Sequence, residues 1–93
     1  MISVWIILDR DGVINKDNGY ITSYKDFVFL KGVHKAVKLL NKKGYLTIIL
    51  TNQVAIGKQL LTEKKLFDIH RRMKKDLFNK NKSYIDDIFY SPY

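Results

Sequence analysis

The sequence predicts an α/β domain, a Rossmann-like, three-layer design around a parallel sheet, incomplete at about three strands and two long helices. Three observations carry that reading. Two short runs rich in β-branched and apolar residues, Ser3 to Leu8 and Tyr45 to Leu50, stop abruptly at polar residues. Two other stretches space their apolar residues by three and four, the period of a helix that buries one face. The first of these lies between the two runs, giving a β-α-β crossover, which joins parallel neighbours and is right-handed.

The elements follow in order. Ser3 to Leu8 is apolar on both alternating faces, which suits a strand buried on both sides of a parallel sheet better than an edge strand. Asp9 then stands at its C-terminal end, with Asp11 and Gly12 just beyond. Open α/β sheets bind ligands outside the carboxyl ends of their strands, so chemistry is expected there. Two aspartates one residue apart suit phosphoryl transfer, in which one carboxylate attacks and the other handles a proton. A carboxylate beside a phosphate dianion needs a cation, and hard oxygen ligands suit Mg²⁺. The alternative is a turn in which Asp11-Gly12 only reverses the chain.

From Asn15 to Phe29 the chain is polar and aromatic, with Asn18-Gly19 as a turn signal. This reads as a small hairpin-like flap with Tyr20, Tyr24 and Phe27 as contact residues, or, for Tyr24 and Phe27, as aromatics closing the core edge. Val33, Ala36, Val37 and Leu40 mark one helical face, and Gly44 is a C-terminal stop. Lys42 and Lys43 complement the carbonyl end of that helix, and His34 at its start is expected to be exposed. The Tyr45 to Leu50 strand delivers Thr51, Asn52 and Gln53 to the same sheet edge as Asp9. The following loop, Val54 to Gln59, reads as a phosphate-side wall, Gly57 allowing close approach and Lys58 offering a mobile positive charge.

Thr62-Glu63 looks like a helix start, although Lys65 stands where a capping box wants Glu. Leu66, Ile69, Met73 and Leu77 then form one stripe, with His70 on it as a core-edge residue. Arg71-Arg72 and Lys74-Lys75 read as a solvated face. Asn79 to Ser83 is expected to be a polar turn and Ile85 to Tyr90 the third strand. Asp86 and Asp87 precede its apolar run Ile88-Phe89-Tyr90 instead of following it, so they fall at the opposite end of the sheet from Asp9 and are excluded as ligands.

Composition bounds the rest. The 93 residues make one domain, 1–93, and a 46% hydrophobic content favours a packed core over disorder. Cysteine is absent, so no disulfide framework or thiolate metal site is available, consistent with a reducing cytoplasm. Met1 to Leu8 is too short for a signal segment, and no apolar run nears the roughly 18 residues of a membrane span. A net charge of +8 favours anionic partners. Nucleic acid is disfavoured among them, because the lysines are scattered without interleaved aromatics.

The motif Asp9-Arg10-Asp11-Gly12-Val13-Ile14-Asn15 together with Leu50-Thr51-Asn52-Gln53 resembles the first two motifs of the haloacid dehalogenase (HAD) superfamily of phosphatases. The closer resemblance, extending from Val4 to Tyr93, is to the small-capped branch containing the heptose-bisphosphate and histidinol-phosphate phosphatases. There a Gly-Tyr segment, here Gly19-Tyr20, and a Thr-Asn-Gln loop with a basic residue, here Lys58, follow the first motif. The resemblance implies a Mg²⁺-dependent phosphatase acting on a small phosphorylated metabolite, with Asp9 as nucleophile and Asp11 as general acid and base. It implies that the Asp9 carboxylate and the Asp11 main-chain oxygen hold Mg²⁺ and that Thr51 hydrogen-bonds the transferring phosphoryl group. Asn52, Gln53 and Lys58 would hold substrate, and Arg10, Asp17, Asn18, Gly19 and Tyr20 would line the mouth. The family carries an arginine more often where Lys58 stands, and a second glycine where Gln59 stands.

Two family motifs, a basic residue for the phosphoryl oxygens and an acidic residue completing the metal shell, are expected beyond the equivalent of Tyr93. In the heptose branch a zinc loop begins where Ser91-Pro92-Tyr93 stands, and serine and tyrosine in place of its cysteine and histidine make zinc improbable. The alternatives are a catalytically incomplete fragment, or half of a split enzyme whose partner chain supplies the missing groups. A nucleic-acid 3′-phosphatase is a further possibility, since such enzymes carry a similar Thr-Asn-Gln loop.

Overall fold

The computed structural model describes residues 3–93, so Met1 and Ile2 of the initial apolar run lie outside the described residues. Strand β1 (Trp5–Leu8), helix α1 (Val33–Lys42), strand β2 (Leu46–Asn52), a single helical turn α2 (Val54–Gly57), helix α3 (Glu63–Asn81) and strand β3 (Asp87–Ser91) follow in that order. The three strands are parallel in the order β1-β2-β3. Ile7 pairs with Ile48 and Leu50 with Phe89, which puts these four side chains on one face.

The other face carries the core. Leu8, Ile49, Ile88 and Tyr90 pack with Val33 and Val37 of α1 and with Leu66, Ile69, Met73 and Leu77 of α3. Both long helices therefore cover the same face, and the third layer of the expected design is not among the described residues. The uncovered face leaves Trp5 60%, Ile7 58%, Leu50 50% and Phe89 51% exposed. This corrects the expectation for the first strand: β1 is an edge strand buried on one side. Its local apolar run is the same in either setting, so only the tertiary arrangement separates them.

Helix ends follow their sequence signals. Gly44, at φ 77°, lets the N–H of Tyr45 reach the Leu40 carbonyl at 3.2 Å and its own N–H reach Asn41 at 3.0 Å. That paired closure satisfies two of the orphan carbonyls at the end of α1. Thr62 caps α3 by accepting from the Lys65 N–H at 3.1 Å, so the start holds without the box glutamate. The expected turn from Asn79 is instead the last stretch of α3, which continues to Asn81 and ends at Lys82 with φ 61°. Asn81 makes the extension possible by donating to the His34 carbonyl at 2.9 Å and accepting from the Ser83 N–H at 3.1 Å.

Three further expectations change. The Asn15 to Phe29 segment forms no hairpin of its own; single bridges join Asn15 to Asp11 and to Phe29, and a 3-10 turn covers Tyr24–Asp26. Tyr24 stacks on the buried Phe27 at 5.3 Å, so both close the core edge. His34 is partly buried, its ring 4.6 Å from that of Phe29, and burial pushes its pKa below the usual imidazole value. The loop after Gln53 contains α2, and a Cβ on Gly57 would overlap the Pro92 carbonyl oxygen. Glycine there serves the approach of α2 to the end of β3. Among the described residues no helix is long and apolar enough to cross a membrane.

Candidate active site

The C-terminal ends of β1 and β2 lie side by side and open into a cavity of about 350 Å³. Asp9, Asp11, Thr51, Asn52 and Gln53 reach it from the strand ends. Asp17, Gly19, Tyr20 and Ile21 close it from the segment above, and Val54 from α2. The sequence-predicted carboxylates and the Thr-Asn-Gln run are thus brought together. Asn18 is not in the lining; its N–H is tied to the Lys16 carbonyl at 3.2 Å.

A tight backbone turn sets Asp11. The N–H groups of Val13, Ile14 and Asn15 converge on the Arg10 carbonyl at 3.2, 2.7 and 3.3 Å, and Gly12 turns the chain at φ 87°. That leaves the Asp11 carboxylate 24% exposed, against a guanidinium that has no exposure. Its Oδ1 accepts from Arg10 Nε at 3.0 Å, from Arg10 Nη2 at 2.8 Å and from Asn15 Nδ2 at 2.9 Å. Its Oδ2 accepts only from Gln53 Nε2, at 3.2 Å, among the described residues. One oxygen is saturated with donors and the other is left for a proton.

Arg10 makes its side-chain hydrogen bonds within the protein. It borders the cavity but is fully buried, and its guanidinium lies over the Phe27 ring at 5.7 Å from the centroid. Its remaining observed partner is His70 Nε2, 3.1 Å from Nη1. Burial first, then the Arg10 and Lys74 charges, push the His70 pKa down to about 4, with Asp11 opposing. The imidazole is neutral near pH 7, and because a guanidinium can only donate, Nε2 accepts and the ring proton sits on Nδ1.

Thr51 is buried and its Oγ1 accepts from Gln53 Nε2 at 2.9 Å. A hydroxyl that accepts through its lone pair keeps its own proton to donate, which suits a phosphoryl oxygen. Asp9 is exposed at the strand end, and among the described residues no side-chain hydrogen bond engages its carboxylate. Lys58 is not in the lining; its ammonium stands 5.4 Å from the Tyr20 ring centroid at the mouth. Interaction with the Tyr20 phenol raises the Lys58 pKa.

The donor chemistry fits Mg²⁺ in part. Among the described residues no group of three or more His, Cys, Asp or Glu side chains converges. Asp9 offers a carboxylate and Asp11, whose carboxylate faces Arg10, offers its main-chain carbonyl. Mg²⁺ commonly takes one or two protein oxygens and fills its shell with water and substrate phosphate, so two donors are compatible with it.

Three residues of the site escaped sequence reasoning: His70, Asn15 as a side-chain donor, and Ile21. The position of His70 four residues after Leu66 signalled burial, and nothing local signalled Arg10, 60 residues earlier. Asn15 was legible as part of the first motif. Ile21 gave no signal beyond its apolarity.

No family model matches the chain. Over 88 residues it is 38% identical to the D-glycero-β-D-manno-heptose-1,7-bisphosphate 7-phosphatase of Haemophilus ducreyi, covering 95% of this chain and 48% of that protein. The D,D-heptose 1,7-bisphosphate phosphatase of B. bronchiseptica, solved with magnesium and phosphate, superposes with a TM-score of 0.90 at 31% identity, covering 97% of this chain and 50% of that one. A protein from Mesorhizobium loti described as a HAD-like phosphatase shares the fold at a TM-score of 0.88 and 23% identity, covering 99% and 43%. The chain spans about half the length of the curated relatives it matches.

Proposed function

We propose that the chain, which has the α/β fold of the HAD phosphatases and is 38% identical to a heptose 1,7-bisphosphate 7-phosphatase, is a phosphomonoester hydrolase acting on a heptose-bisphosphate-like sugar phosphate. The observation that carries it is the convergence of Asp9, Asp11 and Thr51 on one cavity at the strand ends. An Asp9 carboxylate oxygen attacks phosphorus, and the P–O bond to the sugar breaks. The leaving oxygen takes the proton held on Asp11 Oδ2. Water then attacks the aspartyl-phosphate while Asp11 takes its proton, which releases inorganic phosphate, frees the Asp9 carboxylate and returns the proton to Asp11 for the next cycle. Thr51 donates to a phosphoryl oxygen and Asn52 borders the sugar side. Mg²⁺, held by the Asp9 carboxylate and the Asp11 carbonyl, would neutralise phosphoryl charge.

The test is Mg²⁺-dependent phosphate release from heptose 1,7-bisphosphate, histidinol phosphate and a 3′-phosphorylated oligonucleotide, by the chain and by Asp9→Asn. Asp9-dependent release from the heptose substrate supports the reading. Release from another of the three reassigns the substrate, and no release above the Asp9→Asn control rejects turnover by this chain alone.

A second reading is favoured by the open sheet face. Trp5, Ile7, Leu50 and Phe89 stand exposed on one face of the sheet, and exposed apolar faces mark interaction surfaces. In this reading the chain is catalytically incomplete, and a partner polypeptide matching the remaining half of its relatives covers that face and supplies a cation for the phosphoryl oxygens. Electrostatic stabilisation is a large part of phosphoryl transfer, so the chain alone would be slow by orders of magnitude. Adding the remaining half of a heptose-bisphosphate phosphatase should then restore Asp9-dependent release, and Ile7→Lys with Leu50→Lys should prevent it.

A further inference from the structure

We infer that His70 is a positioning residue for the proton-transferring carboxylate, acting through Arg10: it holds the guanidinium against Asp11 Oδ1 and so keeps Asp11 Oδ2 open to the cavity. The inference rests on the phosphatase reading for its catalytic consequence. Its geometric part stands independently.

The geometry is unusual for an arginine-carboxylate pair. The strongest arrangement is a fork on a fork, two parallel N–H bonds to the two carboxylate oxygens. Here Nε and Nη2 both point at Oδ1, at 3.0 and 2.8 Å, and Nη1 points away to His70 Nε2 at 3.1 Å. Asn15 Nδ2 adds a third donor to the same oxygen at 2.9 Å. A guanidinium free to swing could bring a second N–H onto Oδ2 and occupy the oxygen that must exchange a proton with substrate and water. The neutral imidazole gives Nη1 an acceptor on the opposite side and removes the reason to swing.

Besides Asp11, the guanidinium meets His70 and the Phe27 ring. Arg10 and His70 are both buried, and the Phe27 face beneath Arg10 attracts the cation without fixing its rotation. His70 is held in turn by α3, where Leu66, Ile69 and Met73 of the same stripe are fully packed. The rigid element is thus the helix, and the imidazole carries its position to Arg10 in a loop whose Asp11 is also tied to β2 through Gln53. Small misplacements of a catalytic group cost on the order of a hundredfold in rate, which gives this restraint its functional weight.

Two substitutions separate the relay from simple packing. Gln places a side-chain oxygen near where imidazole Nε2 stands, whereas the Asn amide reaches only about as far as Nδ1. The primary measurement is NMR of the whole chain labelled with ¹⁵N. We expect His70 as the Nδ1–H tautomer, with separate, slowly exchanging Arg10 Nη1 and Nη2 signals in the wild type and in His70→Gln. In His70→Asn those signals should merge. In phosphate release, His70→Asn should lower kcat by at least about tenfold with KM little changed, and His70→Gln should restore it.

A protonated Nε2 in the wild type, or Arg10 signals indifferent to His70→Asn, overturns the relay whatever the activity. Merged signals with unchanged kcat overturn its catalytic role. Wild type that shows the Arg10 signature but releases no phosphate rejects turnover by this chain alone and leaves the hold of His70 on Arg10 standing.

Discussion

Gln53 Nε2 lies 3.2 Å from Asp11 Oδ2 and so ties the end of β2 to the loop that follows β1. The same nitrogen donates to Thr51 Oγ1 at 2.9 Å. In the proposed mechanism one amide thereby sets both the oxygen that moves the proton and the hydroxyl that meets the phosphoryl group.

Replacing Gln53 with Leu keeps most of its volume and removes both bonds. A hydrogen bond to a charged group contributes about 1.5–3 kcal/mol, so phosphate release should fall by roughly 10- to 100-fold. The loss should appear in kcat more than in KM, because the bonds orient reacting groups and do not grip the sugar. Steady-state kinetics check this, and an unchanged kcat would remove Gln53 from the positioning of Asp11.

Arg10 and Asp9 should respond in opposite ways. Removing one partner of a buried ion pair costs about 3–5 kcal/mol, so Arg10→Met should lose that much in urea unfolding. Arg10→Lys should recover only part of it, lacking the planar fork that reaches Asp11 and His70 together. Asp9 is exposed, and Asp9→Asn should leave stability within about 0.5 kcal/mol of wild type while abolishing phosphate release. That contrast separates the residue that reacts from the one that holds.

How much of this was legible in the sequence depends on the range of the interaction. Asp9, Asp11 and Thr51 were visible because each follows an apolar run, and a parallel sheet brings such ends to one edge. Thr62 and Gly44 were visible because caps act within a few residues. Arg10 was placed at the mouth by family resemblance alone; its burial, over Phe27 and against His70, comes from the fold and no local pattern contains it. β1 misled for the same reason, since an apolar run records that a face wants cover and not whether the described chain supplies it. The α3 extension through Asn81 depended on the distant His34 carbonyl, which no local pattern contains.

His70 gives the acid dependence of stability a definite sign. Its folded pKa is about 4, held there by burial first and then by the Arg10 and Lys74 charges, against about 6.5 when unfolded. Between those values the unfolded chain binds a proton that the native chain refuses, so stability is lost as pH falls from about 6.5 to about 4. The full loss from this group is about 3 kcal/mol, and below pH 4 it adds nothing further. Urea midpoints measured from pH 7.5 to 4 for wild type and His70→Gln should converge or cross as pH falls, since the variant lacks this slope. Parallel curves would show that His70 titrates as it does in the unfolded chain.

Gly57 tests the link between α2 and the end of β3. Alanine is favoured over glycine inside a helix by up to about 1 kcal/mol, which alone predicts that Gly57→Ala stabilises the chain. A Cβ at this position overlaps the Pro92 carbonyl oxygen, a backbone atom that cannot rotate aside as a long side chain would. The strand end is fixed as well, because the Ser91 carbonyl accepts from the Gln53 N–H at 2.7 Å. Overpacking costs about 1–3 kcal/mol, so the clash should win, with a net loss of about 1–2 kcal/mol in urea unfolding. The strain falls next to Gln53, so phosphate release should weaken together with stability. Gly19→Ala is the comparison: its φ of 81° carries the strain of a left-handed residue, but nothing lies within 4 Å of its added Cβ. If Gly57→Ala proved more stable than wild type, helix propensity would outweigh the contact and α2 would stand farther from Pro92 than the structure has it.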